Sequence, residues 1–193
     1  MLIIADIGSI IENKLEVRNI IMNRICIIGG SGTGKTTLTN NLGKDLNLPI
    51  YHIDGIHHLK NWKIRDKEER DKIILEKINE EKWVMDGTYH STLKKRIEKS
   101  DYIIYLDYST IAQIKGVLGR FIKNHGKEKP EIPGCEEKMS WQFFWWVVNW
   151  RKNKRQFIID NLQEINNDKI HIFKTRRQLN KWYKNKFNKK MKY

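Results

Sequence analysis

The chain is poor in residues that stiffen or cross-link a backbone, with 3 prolines and 2 cysteines among 193 residues. Two cysteines are too few for a disulfide-stapled scaffold, and they cannot form a zinc site alone. Cys26 falls in an apolar run and Cys135 in a loop-like stretch, so both are expected to be free thiols in a reducing cytoplasm. No apolar run reaches the ~20 residues that a bilayer-spanning helix needs, so no membrane partner is expected. The first residues lack the basic segment, apolar stretch and cleavage site of a secretory signal. Acidic residues are scarce, 23 against 37 Lys and Arg, for a net charge of +14. The imbalance is local, since residues 151–193 hold 14 Lys and Arg against 3 Asp and Glu. Such a basic end either solvates a surface or contacts nucleic acid. With 39% apolar content and no internal repeat, the chain suits one domain with a substantial core.

Against these shortages one stretch stands out. Gly29-Gly30-Ser31-Gly32-Thr33-Gly34-Lys35-Thr36 fits G-x-x-x-x-G-K-[ST], the P-loop pattern. Ile25-Cys26-Ile27-Ile28 leads into it as a buried strand should, and Leu38, Leu42 and Leu46 repeat behind it at helical spacing. Strand, glycine-rich loop and helix are the context that the motif requires. Glycines let successive N–H groups turn inward around phosphate oxygens, and the helix N-terminus adds positive potential. Lys35 is placed to reach the β- and γ-phosphates of ATP, and the Thr36 hydroxyl to bind Mg²⁺. The nucleotide-binding set is therefore the whole loop together with Thr37.

The rest of the chain supplies candidates in order. Ile50 to Asp54 reads as a second strand with Asp54 at its carboxyl end, where open parallel sheets bind ligands. There Asp54 would hold an acceptor hydroxyl or take its proton, or else serve as a turn residue. His52, His57 and His58 have no second ligand cluster, so no metal site is read from them. Asp66 and Glu69 suit a helix start, Ile73, Ile74 and Ile78 give it an apolar stripe, and Trp62 is a candidate for a pocket wall.

Strand three is Trp83-Val84-Met85-Asp86. A carboxylate ending a buried strand beside a phosphate loop gives Mg²⁺ its second protein contact. Asp86 is the first candidate, because Gly87 allows close approach; Asp107, ending Tyr102 to Leu106, is the other. Ser109 suits the cap of a helix carrying Arg120. Residues 124–140, with two prolines, Gly126 and Gly134, form the candidate mobile lid. In the tryptophan-rich stretch that follows, Phe144, Val148, Ile158 or Ile159, Leu162 and Ile165 make a helical stripe, with Arg151 and Arg155 in register. Charges on an inward face need an anion, which a transferring phosphate would supply. Strand five is Lys169 to Phe173, Arg176 would lie near the nucleotide base, and a last helix runs from Leu179 to Phe187.

Several of these stretches occur together in one family. GGSGTGKTTL, LPIYHIDGIHH, WVMDGTY, YIIYLD, GRFIKNHGKEKPEIPGCEEK and WQFFWWVVNWRKNKR resemble the DNA topology modulation proteins (the FlaR-like group), P-loop NTPases related to adenylate kinase. The resemblance spans roughly residues 22–187. It implies an α/β nucleotide-kinase fold: a five-stranded parallel sheet ordered 2-3-1-4-5, helices on both faces and a helical lid over about 120–156. Residues 1–21 would be an N-terminal extension and 22–193 the kinase-like domain. Arg120, Arg151 and Arg155 look like the lid arginines of that fold, and Lys127 and Lys129 stand where the group tends to carry arginine. Asp86-Gly87 aligns with the Asp-Gly of adenylate kinase, but Thr88-Tyr89-His90 replaces the proline and arginine that follow it there. The clamp for a nucleoside monophosphate is missing.

Two functions compete. One is an ATP-dependent phosphotransferase acting on a small acceptor, with Lys35, Asp54, Asp86, Arg120, Arg151 and Arg155 as catalytic candidates and Mg²⁺ on Thr36 and Asp86. The other is an ATP-binding regulator of DNA topology, drawing on the basic segment 151–193. A GTPase is a weak third reading, because the guanine-reading Asn-Lys-x-Asp is absent.

Overall fold

Alternate residues of the first strand, β1 (Arg24–Gly29), go to opposite sides of a sheet, and both sides are covered. Ile25 and Ile27 join a core cluster with Leu38, Leu42, Val84 and Ile104. Cys26 and Ile28 join a second cluster with Ile74, Met85, Leu93 and Ile103. Burial on both faces explains an unbroken apolar run where a half-exposed strand would alternate. The computed structural model describes residues 22–192. The extension expected over 1–21, with its apolar Ile3, Ile4, Ile7, Ile10 and Ile11, lies outside the described residues.

After β1 come α1 (Lys35–Leu46), β2 (Ile50–His52), the single turn α2 (Ile53–His57), and the short strands β3 (His58–Leu59) and β4 (Lys63–Ile64). Then follow α3 (Lys67–Lys77), β5 (Trp83–Asp86), α4 (His90–Lys99), β6 (Tyr102–Leu106) and α5 (Thr110–Asn124). The hairpin strands β7 (Glu128–Lys129) and β8 (Ile132–Glu136), then α6 (Trp141–Gln163), β9 (Ile170–Phe173) and α7 (Arg176–Phe187), complete the described chain. The central sheet runs β2-β5-β1-β6-β9, and each of its pairings is parallel. Counted over its five strands this is the expected 2-3-1-4-5 order. Helix starts follow local chemistry: Asp66 accepts from the N–H groups of Glu68 and Glu69, Ser109 from that of Ala112, and Ser140 from that of Phe143.

The structure departs from the sequence reading in several places, among them the last helix, which begins at Arg176 rather than Leu179. The second strand stops at His52, and Asp54 lies in the first turn of α2. The cause is Ile53, fully buried against Gly87, where an added Cβ would come within 2.8 Å of Ile53 Cβ. The stretch 124–140 contains a hairpin, so Cys135 lies on β8 rather than in a loop. In α6 the buried line is Val147, Trp150, Ile158 and Leu162, with Phe144 and Val148 only partly covered. Arg151 and Arg155 do fall in register with it, because both are drawn to Asp107.

The phosphate loop packs against α5 at backbone distance. A Cβ on Gly116 would lie 2.0 Å from the Gly32 carbonyl oxygen, and one on Gly32 would lie 2.4 Å from that of Gln113. Gly119, one turn further along α5, meets nothing within 4 Å. Gly116→Ala should therefore destabilise the protein by about 1–3 kcal/mol through overpacking. Gly119→Ala should raise stability by up to about 1 kcal/mol through helix propensity. Urea unfolding of the two variants beside the parent checks both signs.

Candidate functional site

Parallel pairing aligns the carboxyl ends of the central strands. Ile27 of β1 pairs with Asp86 of β5, and His52 of β2 pairs with that same residue. The loop leaving β1 and the carboxylate ending β5 thus share one edge of the sheet. Gly32 and Gly34 have φ of 74° and 92°, a region that favours glycine, and they let the loop fold back before α1 begins. Lys35 Nζ donates to the Gly30 carbonyl at 2.9 Å, across the mouth of the loop. Burial holds the Lys35 ammonium below its ordinary pKa, against the opposing pull of Asp54 and Asp86. A cation desolvated in this way favours an incoming anion.

The turn after β5 is fixed to this loop and to the core. Thr88 Oγ1 donates to the Gly29 carbonyl at 3.0 Å and lies 3.2 Å from the Gly29 N–H. Arg96 is fully buried, and its guanidinium donates to the carbonyls of Gly87 at 2.8 Å and Tyr89 at 3.1 Å. The turn therefore has few ways to move. Tyr89 Oη in turn donates to Asp54 at 3.0 Å.

A cavity of about 600 Å³ opens over this edge. Gly29, Ser31 and Lys35 line one part of it, and Asp54, Thr88 and Tyr89 another. The β7–β8 hairpin covers it with Lys129 and Ile132. Cys135 docks the hairpin: its Sγ accepts from the Trp62 N–H at 3.1 Å and donates to the Leu59 carbonyl at 3.3 Å. Glu137 beyond the hairpin is 4% exposed and carries two cations, Arg120 at 3.0 Å and Lys129 at 3.3 Å.

The structure puts the candidates read from sequence in different places. Gly29, Ser31, Lys35, Asp54 and Arg120 all line the cavity. Gly30, Thr33, Thr36 and Thr37 sit in the loop and the first turn of α1, where the Thr33 hydroxyl donates to the Gly30 carbonyl at 2.9 Å. Arg176 Nη2 reaches the outer side of the loop, 3.5 Å from the Gly32 carbonyl. Arg151 and Arg155 do not line the cavity; they form ion pairs with Asp107 at 3.4 Å and 3.0 Å. Of the two carboxylates considered for Mg²⁺, Asp107 is thus engaged by two guanidinium groups, and Tyr105 Oη also donates to it. Asp86 is 3% exposed, and its Oδ2 lies 2.8 Å from His52 Nδ1.

Sequence reasoning missed the tether from Thr88 to Gly29, the bridging Glu137, and Gln113, buried on α5 against Gly30. It also missed His57, His58 and Tyr89 as cavity residues. The dense aromatics from Trp141 to Trp150 were a signal for a ring-lined wall, but periodicity alone could not say which rings face inward. Among the described residues no group of three His, Cys, Asp or Glu could hold a metal ion by itself, and no helix is long and apolar enough to cross a membrane.

A five-stranded parallel sheet, helices on both faces and a G-x-x-x-x-G-K-[ST] loop between its central strand and α1 define a P-loop kinase fold. Solved structures agree. The shikimate kinase of Bacteroides thetaiotaomicron superposes with a TM-score of 0.51 at 16% identity, over 88% of this chain and 100% of that one. The Acinetobacter baumannii shikimate kinase in complex with shikimate gives a TM-score of 0.50 at 18% identity, over 89% of this chain and 96% of that one. No family model and no curated protein sequence matches the chain.

The His52–Asp86 pair has a pH signature. Burial opposes the imidazolium, yet the hydrogen bond and charge of Asp86 raise His52 above its ordinary value. Its second nitrogen, Nε2, lies 3.1 Å from Asn40 Oδ1, so both ring nitrogens face oxygen acceptors. A raised folded pKa stabilises the protein fully below the unfolded value, about 6.5. That contribution fades as pH rises through the folded value. Urea unfolding between pH 5.5 and 9 should show this loss in the parent and its absence in His52→Gln.

Proposed function

We propose that the protein is an ATP-dependent phosphotransferase that moves the γ-phosphoryl group of ATP to a hydroxyl-bearing small molecule. One observation carries the reading: a single cavity is lined at one part by the phosphate loop with Lys35 and at another by Asp54. Phosphoryl transfer needs positioning and charge more than covalent chemistry, and such a cavity supplies both. The loop amides and Lys35 hold the triphosphate. Asp54, steadied by Tyr89, orients the acceptor hydroxyl and takes its proton as the oxygen bonds to phosphorus. The hairpin excludes water. Arg120 faces the same space, paired with Glu137, and would meet charge on the transferring group by sharing or leaving that carboxylate. Arg151 and Arg155 join it only by releasing Asp107, so their part is a step of rearrangement.

The oxygen donors suit a hard cation. The Thr36 hydroxyl and the buried Asp86 carboxylate would hold Mg²⁺, which neutralises phosphate charge when bound. Asp86 fits this better than Asp107, whose oxygens already serve Arg151 and Arg155.

A second reading has support from charge. The α7 helix exposes Arg177, Lys181 and Lys184 along one side, a basic face of the kind that contacts phosphate backbones. It suits the nucleic-acid role suggested by the resemblance to DNA topology modulation proteins. DNA binding that weakens steeply with salt, and is lost on deleting residues 176–193, would favour this reading; its absence would remove it.

ATP consumption screened over nucleosides, sugars and small hydroxy acids tests the main reading. Lys35→Ala and Asp86→Asn should each lower turnover by at least about 10²-fold, and Asp86→Asn should also lower stability below about pH 6.5 by removing the partner of His52. Turnover that survives Lys35→Ala would remove the loop from the chemistry.

A further inference from the structure

The acceptor part of the cavity is walled by rings. Tyr89 and His57 have centroids 5.0 Å apart, His57 and His58 4.5 Å, and His58 and Trp62 5.1 Å. All four line the cavity, so they form one continuous aromatic wall leading from Asp54, which Tyr89 touches. Phe143, Trp146 and Trp150 from α6 add further ring surface.

Two polar atoms in this wall are buried without a partner: Trp62 Nε1 and His58 Nδ1. Both lie beneath the cavity surface, so the wall meets the cavity with ring carbons rather than with these atoms. Burial also keeps His58 below its ordinary pKa, so its ring is neutral near pH 7. The backbone of Trp62 carries a second cost. Asn61 and Trp62 have φ of 61° and 62°, two successive left-handed residues with side chains. Strain of this kind concentrates at ligand sites. Here the Trp62 N–H to Cys135 bond and the hairpin above hold it in place.

The charges narrow the ligand further. Arg120 and Lys129 already share Glu137, and Lys138 is exposed at the rim. The Arg70 guanidinium, over the Tyr89 ring at 5.0 Å, is likewise held, by Asp71 at 2.7 Å and Ser91 at 3.0 Å, so among the described residues the guanidinium groups at this end are already engaged.

Resting on the kinase reading above, we propose that the acceptor is a flat heteroaromatic alcohol of little or no charge. Nucleosides and ring-hydroxymethyl heterocycles are the two forms of that chemistry. Its ring packs against the aromatic side chains of the wall. Its hydroxyl reaches Asp54. In the transfer a bond forms between the hydroxyl oxygen and the γ-phosphorus, the bond from that phosphorus to the ADP oxygen breaks, and the hydroxyl proton passes to the Asp54 carboxylate.

Calorimetric titration without ATP separates this proposal from the kinase reading. The probes are adenosine, thymidine and 3-hydroxymethylpyridine, against ribose, gluconate and AMP. At least one ring alcohol should bind about tenfold or more tightly than ribose, gluconate and AMP. Trp62→Ala should weaken that binding by about tenfold. Trp62→Phe, which keeps a smaller ring, should weaken it by a smaller factor and serves alone if the alanine variant does not fold. Trp141→Ala, at a position 71% exposed on the outside of α6, should leave it unchanged. Equal or tighter binding of ribose, gluconate or AMP, no binding of any ring alcohol, or indifference to both Trp62 changes would overturn the proposal. Ring-alcohol binding without phosphorylation in the presence of ATP would instead remove the kinase reading and leave the pocket assignment standing.

Discussion

A glycine loop that encloses a charge needs something outside to hold its shape, and here that support is main chain against main chain. Gly32 and Gly116 approach so closely that neither tolerates a Cβ. On the other side the Thr88 hydroxyl grips both polar groups of Gly29. The loop is therefore clamped between α5 and the turn after β5, and Lys35 is set over a mouth whose width does not depend on flexible side chains. The sheet edge, the cavity and the hairpin above it are arranged around that clamp.

Charge placement follows one rule in the interior: a cation either has a partner or has a row of carbonyls. Arg96 takes the second course, with two carbonyls of the acceptor turn around a fully buried guanidinium. Arg151 and Arg155 take the first, on Asp107. Arg120 and Lys129 share Glu137 at the hairpin. Lys35 is the exception, since among the described residues it bonds to a carbonyl of the loop itself. A desolvated ammonium with so little compensation is the group most ready to receive a phosphate.

The sheet was legible because parallel strands buried on both faces leave unbroken apolar runs, and because Pro49, Gly87 and Ser109 punctuate them. The phosphate loop was legible because its pattern fixes both backbone and chemistry. The boundary at His52 was not, because Ile53 leaves the sheet to pack on Gly87, a tertiary contact that periodicity does not carry. The inward register of Arg151 and Arg155 was readable in the helical spacing, but its partner was not; the anion they meet in the structure is the Asp107 carboxylate. The hairpin and its Glu137 pairings left no trace in local sequence, since residues 124–140 have the composition of any polar loop. Gly30, Gly32 and Gly116 show the same limit from the other side. The motif explains the first two by phosphate binding, whereas the structure adds a steric demand from α5 that no motif records.

Because one threonine hydroxyl joins the phosphate loop to the acceptor turn, and one arginine pins that turn from below, the two ends of the cavity behave as a single rigid body. Diversification toward another acceptor would then be expected to spare Gly87 and Thr88. It would fall instead on the pliable wall, the strained corner at Asn61 and Trp62, the hairpin tip and the ring-bearing face of α6, where sequence can drift without loosening the grip on the triphosphate.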